Sequence, residues 1–290
     1  MSELTLQQKR AQRREESNVN LDLTTAHLDK GSHNNPEEGY CLMEAVSIYA
    51  GEPFSETPDC VPVTLEDFGA YWNDILDDQH RQHLIRLIPK LAYADASNEA
   101  EVARVWTTLD WLLFDYLPMW MCEAGLDLAG WPLSTLRPFD MSRYEPIAQT
   151  LLDIGSHAFE AKSNASVDLR SVSRKQADAE LGHSGWRAAK GLIEINGLTV
   201  MADCFDERNR LFDLIDVLDD TAQRVAELAV VNEVSSNLDH KDRLALSAVD
   251  QSSLLPLVDQ HAAGLRFRLR PACFRLLERL VDVEAPEPSS

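Results

Sequence analysis

Six apolar residues recur at heptad spacing in the second half of the chain, and this pattern constrains the fold more than any other feature. Their separations are four, three, four, three and four residues, which places them on one face of an α-helix. The pattern predicts a single long helix over about residues 206–232 that buries this face against another helix. The residues of this heptad seam are Leu211, Ile215, Leu218, Ala222, Val225 and Ala229.

The last helix of the chain is the expected partner of the heptad seam. Phe274, Leu277 and Val281 repeat at a compatible spacing in a helix predicted to follow Pro271. The small residues at the end of the seam would let this partner approach closely near Ala222 and Ala229. The same seam could also close between two chains, so the sequence leaves the oligomeric state open, with a monomer favoured.

Helical signals also dominate the first half of the chain. Asn35 as an N-cap and Pro36 at the first helical position predict a helix that ends near Gly51. Three prolines then exclude a helix and predict a stiff turn near residues 52–63. Thr64 and Asp67 resemble a capping box at the start of the next helix.

Strand alternation is limited to the short run Leu265–Arg270, which cannot support a sheet. The expected fold is therefore all-α, an irregular multi-helix bundle with the proline-rich turn near residues 52–63. Residues 1–35 are expected to form a polar, loosely ordered arm, and residues 284–290 a disordered tail. Residues 36–283 are expected to form a single helical domain, with a candidate internal boundary near 132–140.

The charge balance restricts the partners. The chain has 48 acidic against 27 basic residues, a formal net charge of −21. Such a surface repels nucleic-acid phosphates and anionic lipid, and it suits basic protein surfaces. No run approaches the ~20 apolar residues needed to span a bilayer, and no signal peptide is recognised. Five cysteines without a disulfide-scaffold pattern favour a reduced, cytoplasmic protein.

Linked motifs in the first half resemble those of a known family. They are Cys-x-Met-Glu-Ala from Cys41, Ala-Gly-Glu-x-x-Ser from Ala50, Cys-Val at Cys60 and Trp-Asn-Asp at Trp72. In this order, and with the C-terminal segment 270–283, they resemble an uncharacterised helical protein family of actinobacteria and their bacteriophages. The resemblance covers roughly residues 36–131 and 270–283. It implies a phage-encoded or phage-derived protein in an actinobacterial host, and it implies no activity.

Cys41 and Cys60, with His33 and Glu44 close in sequence, are the candidate metal ligands. Zinc prefers thiolate and imidazole ligands, but no Cys-x-x-Cys pair or second Cys/His pair supplies a complete set. Alternatively, both cysteines are small buried groups that close the proline turn onto its helix, or a disulfide or redox pair. Glu44 is interpreted as a helix-edge residue that pairs with an arginine or caps a turn. We expect no bound metal and no cofactor.

Other reactive residues match catalytic motifs poorly. His80 and His83 lie three residues apart, whereas the zinc helix places its histidines four apart with a glutamate between them. His157 with Glu160 is a similar pair. The nucleophile elbow requires glycine two residues after Ser184, where this chain has Trp186. No phosphate-binding loop or dinucleotide fingerprint is found, so the sequence leans against an enzyme.

Charged residues in the second half are the candidates for binding another protein. Asp213, Asp216 and Asp220 flank the heptad seam on a water-facing side. A basic island near the C-terminus either grips phosphate or an acidic partner, or neutralises acidic faces of the same chain, which we favour. Its members are Arg266, Arg268, Arg270, Arg275 and Arg279.

Three functions follow from these observations. The favoured one is a non-catalytic protein–protein interaction or regulatory protein, because a binding protein needs shaped, charged surface and an enzyme needs converging reactive groups. The first alternative is a metal-binding protein or metal-dependent hydrolase that uses the Cys41 and Cys60 region. The second is an acidic nucleic-acid mimic that occupies a DNA-binding host protein.

Overall fold

A computed structural model of the chain describes residues 21–131, 133–165, 169–200, 205–238 and 255–284. Within these ranges the chain forms helices and turns and no strand, so the expected all-α, multi-helix fold is confirmed. Residues 52–62 form the expected non-helical, proline-rich turn. None of the described helices is long and apolar enough to cross a membrane.

The α-helices follow one another along the whole described chain. A 3-10 segment, Gln82–Leu87, lies between the third and fourth helices, and a π-helical turn, Leu112–Tyr116, lies between the fifth and sixth. In chain order the α-helices are α1 (Leu42–Ala50), α2 (Val63–Ile75), α3 (Asp78–Arg81), α4 (Ile88–Leu91), α5 (Asn98–Trp111), α6 (Leu117–Glu123), α7 (Tyr144–Ser163), α8 (Arg170–His183), α9 (Trp186–Val200), α10 (Phe205–Asn237) and α11 (Leu255–Val281).

Contacts within the chain define two compact units. Unit 1 takes in the described residues of Met1–Thr107, Ile195–Val200 and Phe274–Ser290. Unit 2 takes in those of Thr108–Glu194 and Met201–Cys273. Each unit therefore combines segments that are far apart in sequence. The single domain over 36–283, with its candidate boundary near 132–140, stays a prediction.

Helix α1 ends as predicted and begins later than predicted. Gly51 adopts φ 75°, a left-handed conformation that glycine accepts without strain and that ends the helix. Asn35, however, accepts hydrogen bonds from the backbone N–H groups of Glu37 and Glu38 at 3.1 and 3.2 Å. Asn35 and Pro36 thus form an isolated turn, and the helix itself starts after Cys41.

Residues 21–35 differ from the loosely ordered arm expected from the sequence. Leu28 is fully buried, and its backbone N–H donates to Gln82 Oε1 at 2.8 Å. The Asn73 side chain on α2 donates to the Asp29 carbonyl at 2.8 Å and accepts from the Leu42 N–H at 3.1 Å. These bonds attach the segment to unit 1. Residues 1–20 and 285–290 lie outside the described residues.

The start of α2 also differs from the expected capping box. Pro62 is the N-cap, and Thr64 lies buried in the first turn. The Thr64 hydroxyl donates to Glu101 Oε1 at 3.1 Å, so it is committed to a neighbouring helix and not to Asp67. No side chain caps this helix start, and α2 packs against α1.

Unit 1 is completed by the end of the chain. The Arg104 side chain is fully buried, and its Nε donates to the Leu280 carbonyl at 3.1 Å. A second nitrogen of Arg104 donates to the Val283 carbonyl at 3.4 Å. Lys90 pairs with Asp282 at 2.7 Å. Residues 274–284 therefore form part of the structure of unit 1.

In unit 2, the heptad seam lies on one helix, α10, and all six of its residues are buried, as predicted. Helices α7, α8 and α6 of unit 2 pack against α10. Close approach occurs at Gly155 on α7, where an added Cβ would lie 3.4 Å from Thr221 Oγ1. The predicted seam partners, Phe274, Leu277 and Val281, belong to unit 1. Their pairing with the seam stays a prediction.

Helix α11 corrects two expectations. The run Leu265–Arg270 is helical and not extended. Leu265 and Leu269, four residues apart, are both buried on one face of this helix. Pro271 lies inside the helix and does not precede it. A proline removes the hydrogen bond to the carbonyl four residues earlier, which here belongs to the exposed Phe267. On the exposed side of the helix, a water molecule can donate a hydrogen bond to this carbonyl in place of the missing N–H.

Candidate functional site

The carboxylate of Glu44 organises the start of α1. Its Oε2 accepts from the Cys41 backbone N–H at 2.7 Å, and its Oε1 accepts from the His33 backbone N–H at 2.7 Å. The His33 ring Nδ1 lies 2.9 Å from Oε2. Burial raises the Glu44 pKa, but the hydrogen bonds from His33 and Cys41 together outweigh burial and hold the pKa below its usual value. Glu44 therefore caps its own helix, and no arginine pairs with it among the described residues.

The four candidate metal ligands are only partly brought together. His33 and Glu44 are in contact, and Cys41 meets Glu44 through its backbone N–H. Cys41 and Cys60 are not joined by a disulfide bond. Burial raises the pKa of the Cys41 thiol to about 12, so it is neutral near pH 7. Across the described ranges, no group of three or more His, Cys, Asp or Glu side chains is arranged to hold a metal ion.

His80, His157 and Ser184 have local partners. His80 contacts Asp77, the N-cap of α3, through Nδ1 at 2.8 Å. The His157 ring lies 5.9 Å from the Trp131 ring. Ser184 caps the end of α8, and its hydroxyl donates to the Leu181 carbonyl at 3.3 Å. Ser184 is therefore at a helix end and not at a strand-to-helix elbow.

Two arginines of the basic island pair with carboxylates of their own unit, as favoured from the sequence. Arg266 contacts both carboxylate oxygens of Glu180, at 2.7 and 3.1 Å, and Asp259 at 2.7 Å. Arg268 pairs with Glu123 at 2.8 Å and with Glu233 at 3.0 Å. The hydrogen bonds to Glu180 and to Glu123 raise the pKa of Arg266 and Arg268, respectively.

Arg270 behaves differently from Arg266 and Arg268. Its Nε donates to the His183 carbonyl at 3.4 Å, and its guanidinium carbon lies 5.8 Å from the centre of the Phe267 ring. Phe267 is 63% exposed. Arg270 thus covers an exposed aromatic ring at the surface of unit 2.

The three acids predicted to bind a partner are exposed on α10. Asp216 and Asp220 line a cleft of about 440 Å³ in unit 2. Asp219 lies deeper in this cleft, where it accepts from the Trp186 indole N–H at 3.1 Å and pairs with Arg187. The cleft is lined by basic residues, acidic residues and one glutamine: Arg174, Lys175, Asp178, Arg187, Asp216, Asp219, Asp220 and Gln223. Asp213 lies outside this lining.

Helix α7 presents a row of outward residues that we call the α7 stripe: Leu152, Ser156, Phe159 and Ser163. All four are exposed, and the exposed fractions of Leu152 and Phe159 are 49% and 52%. Their separations of four, three and four residues place them on one helix face. Two large apolar side chains therefore face water on a helix whose opposite face is already buried against α10.

Both cations beside Phe159 are already paired. Lys162 Nζ and the Arg224 guanidinium carbon each lie 5.8 Å from the centre of its ring. Lys162 also pairs with Glu227, and Arg224 pairs with Asp220 at 2.8 Å. Both cations near the Phe159 ring are thus paired with acids, and about half of this side chain remains exposed to solvent.

The α7 stripe was not among the predicted sites. The sequence carries only part of the signal that identifies the heptad seam, because two of the four residues at this spacing are serines. A comparison of the chain with protein-family models, with curated proteins and with solved structures gives no match.

Proposed function

We propose that this protein acts by binding another protein and not by catalysis. The observation that carries the proposal is the α7 stripe, whose two large apolar side chains, Leu152 and Phe159, are about half exposed. Burying a large apolar side chain contributes about 1.5–3 kcal/mol. Aromatic residues surrounded by polar groups are typical centres of protein interfaces.

The groups that would serve catalysis support the same proposal, because they already have structural roles. The Glu44 carboxylate is engaged by the backbone N–H groups of His33 and Cys41 and by the His33 ring. The Cys41 thiol is neutral near pH 7, and the thiolate is the nucleophilic form. The proposed setting, an actinobacterial cytoplasm with a phage-encoded gene, rests on the motif resemblance alone.

Site-specific photo-cross-linking tests the proposal. A photoreactive phenylalanine analogue replaces Phe159 in the full chain, produced in actinobacterial cells, and the matched control carries it at Phe267, which is similarly exposed beneath an arginine. We expect a discrete protein adduct at position 159 and none of the same mass at 267. Equal adducts at both positions, or none at 159, would overturn the proposal.

The salt dependence of the captured complex separates this function from the acidic mimic. A complex held by charge alone dissociates as ionic strength rises, because salt screens exposed charges beyond about 10 Å at 0.1 M. An interface centred on Phe159 keeps a fraction of its affinity at high salt. A DNA-binding partner released completely by salt would favour the mimic instead.

A further inference from the structure

The spacing of the α7 stripe matches the packing of a second helix. Leu152 and Phe159 lie seven residues apart, about 10.5 Å along a helix axis. A partner helix with apolar residues at heptad spacing can place side chains between these two anchors. Ser156 and Ser163 alternate with the anchors and are small enough to let a partner side chain enter.

The polar groups of the stripe can be buried without losing a hydrogen bond. The Ser156 hydroxyl donates to the Leu152 carbonyl at 2.9 Å, and the Ser163 hydroxyl donates to the Phe159 carbonyl at 2.9 Å. A buried donor without a partner weakens binding, because it has lost its hydrogen bond to water. Because both serines donate within α7, a helix that covers the stripe leaves neither donor unpaired.

One border of the stripe is acidic. Asp153 and Glu160 follow the two anchors on one side and are exposed, and neither forms an ion pair with a described residue. The two cations beside Phe159, Lys162 and Arg224, are neutralised by Glu227 and Asp220, which leaves Asp153 and Glu160 as the acids on α7 next to the two anchors.

From this geometry we propose that the α7 stripe binds an amphipathic α-helix of a partner protein, with an apolar heptad face bordered by lysine and arginine. This inference rests on the proposed function and specifies its partner. Opposite charges at the borders of two packed helices select such a partner. A second copy of this chain is disfavoured, because its own Asp153 and Glu160 would meet like charges and each chain carries a net charge of −21.

Synthetic peptides test the inference directly. The probes are fluorescein-labelled helices of repeated Leu-Lys-Lys-Leu-Leu-Lys-Leu heptads, the analogue with glutamate for lysine, and a serine-for-leucine analogue that keeps the positive charge. Fluorescence anisotropy with the full chain should show binding of the leucine–lysine peptide only. Equal binding of the serine–lysine peptide would show that charge alone attracts the probe and would overturn the inference.

Matched variants locate the binding surface. Phe159→Ala should weaken binding of the leucine–lysine peptide by about 10- to 100-fold, as expected for the central aromatic residue of an interface. Phe267→Ala removes another phenylalanine that is more than half exposed and should change the affinity by less than about twofold. Equal losses in the two variants would place the peptide elsewhere and overturn the inference.

A charge reversal gives a result that unfolding cannot imitate. The double variant Asp153→Lys, Glu160→Lys should lose the leucine–lysine peptide and gain the leucine–glutamate peptide. Unchanged peptide preference would contradict the proposed role of the acidic border. If photo-cross-linking at position 159 captures a protein through a segment that is not a basic helix, this inference fails and the proposed function stands. If position 159 gives no adduct, the proposed function fails.

Discussion

Arg266 and Glu180 form a two-point ion pair between α11 and α8. Arg266 Nε lies 3.1 Å from Glu180 Oε2, and a terminal nitrogen lies 2.7 Å from Oε1. The Glu180 side chain is fully buried and also accepts from Gln176 Nε2 at 2.7 Å. A buried carboxylate requires such partners, because an isolated buried charge is strongly destabilising.

Removal of Arg266 should therefore destabilise the protein more than removal of a neighbouring arginine. We expect Arg266→Met to lower the free energy of unfolding by about 3–5 kcal/mol, since Glu180 is left buried and uncompensated. Arg270→Met is the matched control, because Arg270 contacts only a carbonyl and a ring among the described groups. Urea unfolding followed by circular dichroism measures both. Restored stability in Arg266→Met, Glu180→Met would confirm the mechanism, and equal losses in the two single variants would contradict it.

The lowered pKa of Glu44 predicts a defined pH dependence. A carboxyl whose pKa is lower in the folded state contributes stability that is fully present above its unfolded pKa, near 4.5, and is lost as pH falls through the folded pKa. Glu44→Gln should reduce stability at pH 7 by about 1–3 kcal/mol, because two backbone N–H groups lose a charged acceptor. The difference between parent and variant should shrink in urea titrations below pH 4.5. A constant difference across this range would contradict the assigned role of Glu44.

Burial predicts a large contrast in thiol reactivity. Cys122 is exposed, whereas Cys41 is buried with a pKa of about 12. Iodoacetamide at pH 7.5 should modify Cys122 rapidly and Cys41 only when the protein unfolds, since the thiolate is the reactive form. Peptide mass spectrometry over a time course measures each site separately. Comparable rates at the two cysteines in folded protein would contradict the burial of Cys41.

The heptad seam should not tolerate a charge. Leu218→Asp places a carboxylate in a fully buried row of apolar residues, and we expect a loss of more than about 4 kcal/mol and unfolding of unit 2. Asp216→Asn on the exposed face should stay within about 0.5 kcal/mol of the parent. Thermal melts with light scattering measure both properties. A Leu218→Asp protein that melts like the parent but changes from dimer to monomer would instead make the seam an intermolecular interface.

Features that depend on local spacing were predictable from the sequence. The heptad seam could be predicted because its periodicity defines one helix face without reference to other segments. All six of its residues are buried. Gly51 ends α1 for an equally local reason, since its φ of 75° suits glycine. The start of α1 was not predicted, because Asn35 caps a turn and Glu44 supplies the helix with its cap.

Features that depend on distant residues were not predictable. Glu180 and Arg266 are 86 residues apart, and no pattern in either segment identifies the pair. The α7 stripe was overlooked because the same helix has a more apolar face, with Ile147, Leu151 and Ile154 fully buried. When a helix has apolar residues on two faces, the positions of its neighbouring helices determine which face is buried.

The completion of unit 1 by residues 274–284 has a consequence for the synthesis of the protein. Arg104 is separated by 176 residues from Leu280, whose carbonyl accepts its Nε–H. At about 5–20 residues per second, a ribosome needs about 9–35 s to travel between them. Throughout this interval the nascent Arg104 has no carbonyl from the last helix to bind. The bonds that join Arg104 to the end of the chain therefore form only after residues 280 and 283 have been translated.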